Sequence, residues 1–363
     1  MRKASLILIS IGLIQYPSSG QAGNALGKYQ IVQYASVSRY GPQNIMRFDN
    51  NGDILLACRE GLHEDDLKGR GVSFSQSQLA LLETYRLVAR SSDTLRTLIP
   101  LLDSVQTSEL RQRSAQIAEM VCESTEGPVR ALKEHLEQIK RERNAYSIIF
   151  SYVVDGLVWR RLEELGVVRK REIGGETPLW AGEVWGLYRP RDFNCGTNRI
   201  SDQGISMNVN WSQATIPKMM PFVADFKNLI QMFNDYIAFG RVKDPAAKEV
   251  FAPFDLFDRN GLLTIPVIRE YQSDSLYNRC IVLSEQIVQL VLKSLDTQSM
   301  RKRFDFKDES QTAVVVYHEI MWDLMDAYEM KGCLKKPVAF SIPDQAESSD
   351  IADLVFIVRG GMD

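Results

Sequence analysis

"AYSIIFSYVVDGLVWRRLEELG", residues 145 to 166, is the most hydrophobic stretch of this 363-residue chain beyond its N-terminus, and its reading decides the fold. From Ala145 to Trp159 apolar residues fall on almost every side of a helical wheel. A helix without a polar face must be covered by other elements, so the segment is expected at the centre of the core. Asp155 interrupts the run. A carboxylate in such surroundings has to find a partner, take up a proton or end the helix. Gly156 follows it directly and favours a break, with Asp155 capping a second short helix through Trp159 and Leu162. A buried functional acid is the second reading.

Upstream, residues 75 to 165 carry helical periodicity. "SQSQLALLETYRLVAR" (75–90) places Leu79, Leu82 and Tyr85 on successive turns, and Asp93, Thr107 or Ser108, and Thr125 read as helix starts. "GPVRALKEHLEQIKRER" (127–143) lines up Val129, Leu132, Leu136 and Ile139 as one stripe, with His135 beside it as a solvated histidine. Before these helices, "YQIVQYASVSRY" (29–40) and "NIMRFDNNGDILLACRE" (44–60) read as strands that pair with each other, the second turning at Asn50-Asn51-Gly52-Asp53. Asp49, Asn51, Asp53 and Glu60 have the spacing of a calcium loop, but Ile54 stands where that loop needs glycine, so the plain hairpin is preferred.

The first residues, "MRKASLILISIGLIQYPSSGQAG", run from a basic start through a short apolar core to small residues at Gly20 and Ala22. That order is the secretory signal pattern, and predicts cleavage after Ala22 and an exported, soluble mature chain with no membrane span.

Downstream of Gly166 the texture changes. Residues 171 to 212 are rich in Gly, Asn, Ser, Trp and Arg, the composition of exposed functional loops. A helix is expected from Pro217 to about Phe239, a connecting segment through Pro245, Pro253 and Asn260-Gly261, a strand at "LLTIPVI" (262–268), an amphipathic helix from Asp274 or Ser275 to Leu295, and strands at "PVAF" (337–340) and "DLVFIV" (353–358). The fold class is therefore α+β, a helix-rich N-terminal half packed with a mixed strand and helix C-terminal half. The expected division is a signal peptide over 1–22, a short β-hairpin region plus helical domain over 23–166, and a mixed domain over 167–363.

A charged fraction of 25% and a net charge of −3 are ordinary globular values and give no basic footprint for nucleic acid. Five cysteines are too few for a disulfide scaffold and form no C-x-x-C pair. No phosphate loop, nucleophile elbow or dinucleotide fingerprint is present, and neither a cofactor nor a metal is assigned.

Two stretches carry candidate chemistry. "VVVYHEIMWDLMDAYE" (314–329) holds His318 and Glu319 but lacks the second histidine of H-E-x-x-H, since Trp322 stands there. On one helix over 311–331, Glu319, Asp323 and Asp326 share a face, either as a hard-cation site or as the wet side opposite Val316, Ile320, Leu324 and Ala327. A strand over Val314–Val316 leading into a helix at His318 is the other local reading. In "RPRDFNCGTNR" (189–199), Cys195 lies among Arg189, Arg191 and Arg199, charges that favour a thiolate. With His318 as base and Asp323 as orienter it would make an exported cysteine hydrolase or transferase.

The leading expectation is instead a binding protein of the cell envelope or exterior. Trp180, Trp185 and Trp211, interleaved with Arg191 and Arg199, have the composition of a recognition surface for a small ligand, a glycan or a protein partner. The sequon Asn210-Trp211-Ser212 lies within it.

Overall fold

Residues 145 to 164 form one unbroken rod: a turn of α-helix over Ala145–Ser147, a π-helix over Ile148–Leu157, and a further α-helix over Val158–Glu164. The break expected at Asp155-Gly156 does not occur. Val158 keeps helical dihedrals and its N–H reaches back five residues to the Val153 carbonyl, because the buried Val153, Val154, Leu157 and Val158 hold the wider turn where the local Gly156 would have released it. A computed structural model describes residues 25–359 apart from 176, 193–194, 203 and 353, so the expected signal segment lies outside the described residues. The fold is α+β with helices in the majority.

Along the first half come β1 (Tyr29–Val37), α1 (Pro42–Met46), α2 (Asn51–Ala57), β2 (Leu62–His63), α3 (Glu64–Gly69), α4 (Gln76–Thr84), β3 (Val88–Ser91), β4 (Thr94–Thr97), β5 (Leu101–Leu102) and α5 (Ser104–Gln138). The rod supplies α6 (Ala145–Ser147), the π-helix and α7 (Val158–Glu164). Three expectations are corrected here. Residues 44–60 are not a strand and turn but the helices α1 and α2: Ile54, Leu55 and Cys58 are all fully buried at helical spacing, and Asn51 Nδ2 donates to the Ile45 carbonyl. Residues 88–102 are strands, with Asp93 in the β3–β4 turn beside Ser92 at φ 52°. Thr107, Ser108 and Thr125 lie inside α5, whose N-cap is Asp103, accepting from Val105 N and Gln106 N.

Beyond the rod follow β6 (Trp180–Tyr188), β7 (Cys195–Asp202), β8 (Ile205–Ser212), α8 (Ile216–Ala224), α9 (Phe226–Phe239), α10 (Pro245–Phe251), β9 (Val267–Glu270), α11 (Ser275–Ser294), α12 (Thr297–Phe304), α13 (Glu309–Met330), α14 (Val338–Ser341) and β10 (Leu354–Arg359). The helices over 275–294 and 309–330 and the strand over 354–359 lie where the sequence puts them. Val338–Ser341 is a helical turn rather than a strand, buried through Ala339 and Phe340, and Val314–Val316 belong to α13.

The expected boundary at 166/167 is crossed twice. β1 pairs antiparallel with β6 along its whole length, Tyr29 opposite Tyr188 and Val37 opposite Trp180, instead of pairing with the segment that follows it. α13 packs along α5. Around the rod, α5, α11 and α13 close the largest core, which holds Phe150, Tyr152, Val153, Val154 and Trp159. The N-terminal helices, the β2–β4–β3 sheet and one face of β1 and β6 make a second core.

The sheet β7–β8–β10–β9 sits between two cores. β10 shows why: Leu354 and Phe356 face α8, α9 and α10, while Val355 and Ile357 face the rod. β8 alternates in the same way but in polarity. Ile205, Met207, Val209 and Trp211 enter the apolar core, and Ser206, Asn208, Asn210 and Ser212, equally buried, lie on the opposite face of the strand.

Candidate functional site

That polar face of β8 builds the site. Asn208 Nδ2 donates to the Ser151 carbonyl of the π-helix at 3.0 Å, and Asn210 Nδ2 donates to Ser147 Oγ at 2.7 Å. Buried amides need such partners, and helical hydrogen bonds rearranged by π geometry are frequent at functional sites. Asn210 is 2% exposed, so the sequon is closed to glycosylation in the folded chain.

Between the π-helix, α7 and the β7–β8 hairpin lies a cavity of about 330 Å³, with Asp155, Gly156, Trp159, Arg171, Thr197 and Arg199 among its walls. Most of its charges are already matched. Arg171 Nε donates to Glu163 Oε1 at 3.1 Å, and the same oxygen accepts from Tyr34 OH at 3.0 Å. Arg171 also lies 3.8 Å from the centroid of the Tyr34 ring, which stacks on Trp159. Arg160 Nη2 donates to Glu270 Oε1 at 3.1 Å.

Two groups are left over. Arg199 donates from Nε to Asn208 Oδ1 at 2.9 Å, its cross-strand neighbour, and forms no ion pair among the described residues. Burial, together with the nearby Arg359 and Arg160 charges, lowers its pKa. Asp155 accepts from Trp159 Nε1 at 3.1 Å through Oδ1 and has no cation within ion-pair distance among the described residues. Burial pushes its carboxyl up to about 7, against the opposing pull of Arg171, the Trp159 hydrogen bond and Arg199. Gly156 follows Asp155, and a Cβ there would sit 3.6 Å from Arg199 Nη2 and 3.1 Å from the Ser151 carbonyl oxygen. Thr197 adds a buried hydroxyl with no hydrogen-bond partner.

The residues selected from sequence are distributed differently. Trp180, Trp185 and Trp211 are 5%, 0% and 3% exposed and form no recognition surface. Trp180 donates to the Tyr85 carbonyl, and Trp211 donates to Asn198 Oδ1 and covers Gly196. Their apolar area is worth more in the core than on the surface. Of the two arginines, Arg199 enters the cavity described above.

Arg191 enters a second cavity, of about 280 Å³, with Arg111, Cys195, Trp322 and Asp326. Most of its charges are matched: Arg111 Nε and Arg191 Nη2 each donate to Glu319 Oε2 at 3.0 Å, Arg191 Nη2 also donates to Asp323 Oδ1 at 2.8 Å, and Lys336 lies 3.0 Å from Asp326. Glu319 is therefore not on a wet face but fully enclosed, and of the carboxylates that suggested a cation site Glu319 and Asp323 hold arginines and Asp326 holds Lys336. Among the described residues no group of three His, Cys, Asp or Glu side chains is placed to hold a metal.

Cys195 and His318 share no hydrogen bond. His318 turns Nδ1 to Glu319 Oε1 at 3.2 Å and Nε2 to Trp322 Nε1 at 3.4 Å, edge-on to Trp185. Asp323 is occupied by Arg191 and by Ser114 Oγ at 2.5 Å, so it does not orient the imidazole. Burial pushes the Cys195 thiol up to about 12, with Lys336 and Arg191 only partly opposing it. All five cysteines are free and buried.

In the sequence the apolar neighbours of Asp155 single it out, whereas Arg160, Arg171 and Asn208 are not among the expected site residues. The signal for Asn208 is present in "ISMNVNWS", whose strict alternation marks a second, polar buried face. Nothing local marks Arg171. Comparison of the chain with protein-family models, with curated proteins and with solved structures gave no match in any of the three.

Proposed function

We propose that this chain is an exported binding protein that holds the anionic group of a small polar ligand in the cavity beside the π-helix. The observation that carries the reading is Arg199, a largely enclosed guanidinium that forms no ion pair among the described residues and feels the Glu270 carboxylate only at longer range, its Nη2 bordering Gly156 in the cavity wall. A buried charge without a counter-ion is costly to keep, and an oxyanion meeting the planar donors of arginine recovers that cost. The buried Thr197 hydroxyl adds a further group in need of a partner. Export rests on the basic, apolar and small-residue order of residues 1–22.

Calorimetric titration of the mature protein with acetate, inorganic phosphate, sulfate and the α-amino acids tests the reading. At least one of these binds, and Arg199→Gln weakens it by tenfold or more while circular dichroism stays unchanged. Equal binding by Arg199→Gln, or no binding of any compound by the unaltered protein, overturns it. Expression of the full chain with N-terminal sequencing of the exported product tests export, and is expected to read from Gly23.

The cysteine hydrolase alternative has no comparable support. Its nucleophile would have to lose a proton from a thiol held at about 12, without the histidine at hand.

A further inference from the structure

Resting on that reading of Arg199, we propose that the ligand is an α-amino acid, with its carboxylate held by Arg199 and its ammonium group held by Asp155. The inference comes from the charge balance of the cavity wall. Arg171 is matched by Glu163 and Arg160 by Glu270. What remains is one guanidinium and one carboxyl, Arg199 and Asp155, that border the same space and do not pair with each other. The wall thus offers one unmatched acid and one unmatched cation, while Glu270 behind it is shared by Arg160 and Arg359.

A simple anion satisfies half of this wall. It would take the Arg199 donors and leave the Asp155 carboxyl holding its proton, with no cation to draw it into the charged form. A simple cation has the opposite fault. A zwitterion satisfies both, each of its charged ends meeting the opposite charge.

The size of the cavity points to one class of zwitterion. Asp155 and Gly156 are consecutive on the π-helix, and Arg199 Nη2 approaches the place where a Gly156 side chain would stand. Both charged groups border one cavity of about 330 Å³, so a ligand that reaches the two is small, and an α-amino acid carries both charges in a body of that size. The absent side chain at Gly156 leaves room for that approach. Remaining cavity volume, lined by Trp159, Asn198 and Thr197, is left for the amino acid's own side chain.

The experiment titrates the mature protein with the twenty α-amino acids and, for each binder, with its des-amino acid. The same titrations are run on Asp155→Asn, which keeps an oxygen for Trp159 Nε1. One or more amino acids bind, their des-amino forms bind at least about tenfold more weakly, and Asp155→Asn removes that difference while still binding the des-amino form. Des-amino acids that bind as well as amino acids overturn the inference and leave the anion reading standing, as does binding of acetate or phosphate with no amino acid bound. Amino-acid selectivity unchanged in Asp155→Asn also overturns it. No binding of any of these compounds overturns both.

Discussion

Glu319 and Arg191 lie 128 residues apart in sequence, and their side chains meet at 3.0 Å, with the carboxylate fully enclosed. Arg111 reaches the same oxygen from α5. This three-residue cluster joins α5, α13 and the chain between β6 and β7. Glu319→Gln leaves the Arg111 guanidinium without its counter-charge and Arg191 with Asp323 alone, and is expected to destabilise the fold by about 2–4 kcal/mol in chemical denaturation. A loss below about 1 kcal/mol would mean the cluster is dispensable.

The same carboxylate makes the fold acid-labile. Burial alone would raise its pKa, but the hydrogen bond from His318 and the charges of Arg191, His318 and Arg111 outweigh it and hold the group at about 2. Its folded pKa lies below its unfolded value, so its stabilising contribution is fully present above about 4.5 and is lost as pH falls from there toward 2. The denaturation midpoint should drop over that window, and drop less in Glu319→Gln.

Asp155 has the opposite sign. Its folded pKa, raised to about 7, exceeds the ordinary aspartate value, so the folded state holds a proton that the unfolded chain has released. Stability from this group is present below about pH 4 and is lost as pH rises to 7. Asp155→Asn removes the effect, and at pH 8 the variant should be more stable than the parent by ~1–3 kcal/mol, the advantage vanishing near pH 4. Thermal denaturation at the two pH values checks it, and an equal difference at both would refute the assignment.

Cys195 should behave as an inert thiol. With its pKa pushed up to about 12 by burial, alkylation of the native protein at pH 8 is expected to be at least about a hundredfold slower than in denaturant. Replacement of His318 by alanine should leave the pH profile of that reaction where it was. Fast native labelling that depends on His318 would restore the hydrolase reading.

Gly182 is the tightest point of the β1–β6 pairing. Its φ is +129°, and a Cβ there would overlap the Tyr34 carbonyl oxygen and come within 2.8 Å of Ala35 Cα. Gly182→Ala therefore has both a strained backbone and a clash with backbone atoms that cannot turn away. A loss of roughly 2–4 kcal/mol is expected, against less than about 0.5 kcal/mol for Gly27→Ala, where a Cβ meets nothing.

What the sequence determined by itself was local. The helix over 275–294 follows from an amphipathic stripe and its Asp274 cap, which accepts from Tyr277 N. The helix over 309–330, the strand at 354–359 and the α+β class follow from periods that repeat within a few residues. Tertiary structure decided whatever depends on a distant partner. Residues 44–60 have turn-like and strand-like letters, yet fold as helices because Ile54, Leu55 and Cys58 are needed on one buried side. β1 takes β6 rather than its neighbour in sequence. The tryptophans are buried, and Glu319 faces arginines rather than water. Arg199 and Asp155, 44 positions apart in sequence, border one cavity because the β7–β8 hairpin packs on the π-helix, where Asn208 and Asn210 bond to Ser151 and Ser147. Side-chain type sets what each group requires; only the folded chain sets which group is near enough to provide it.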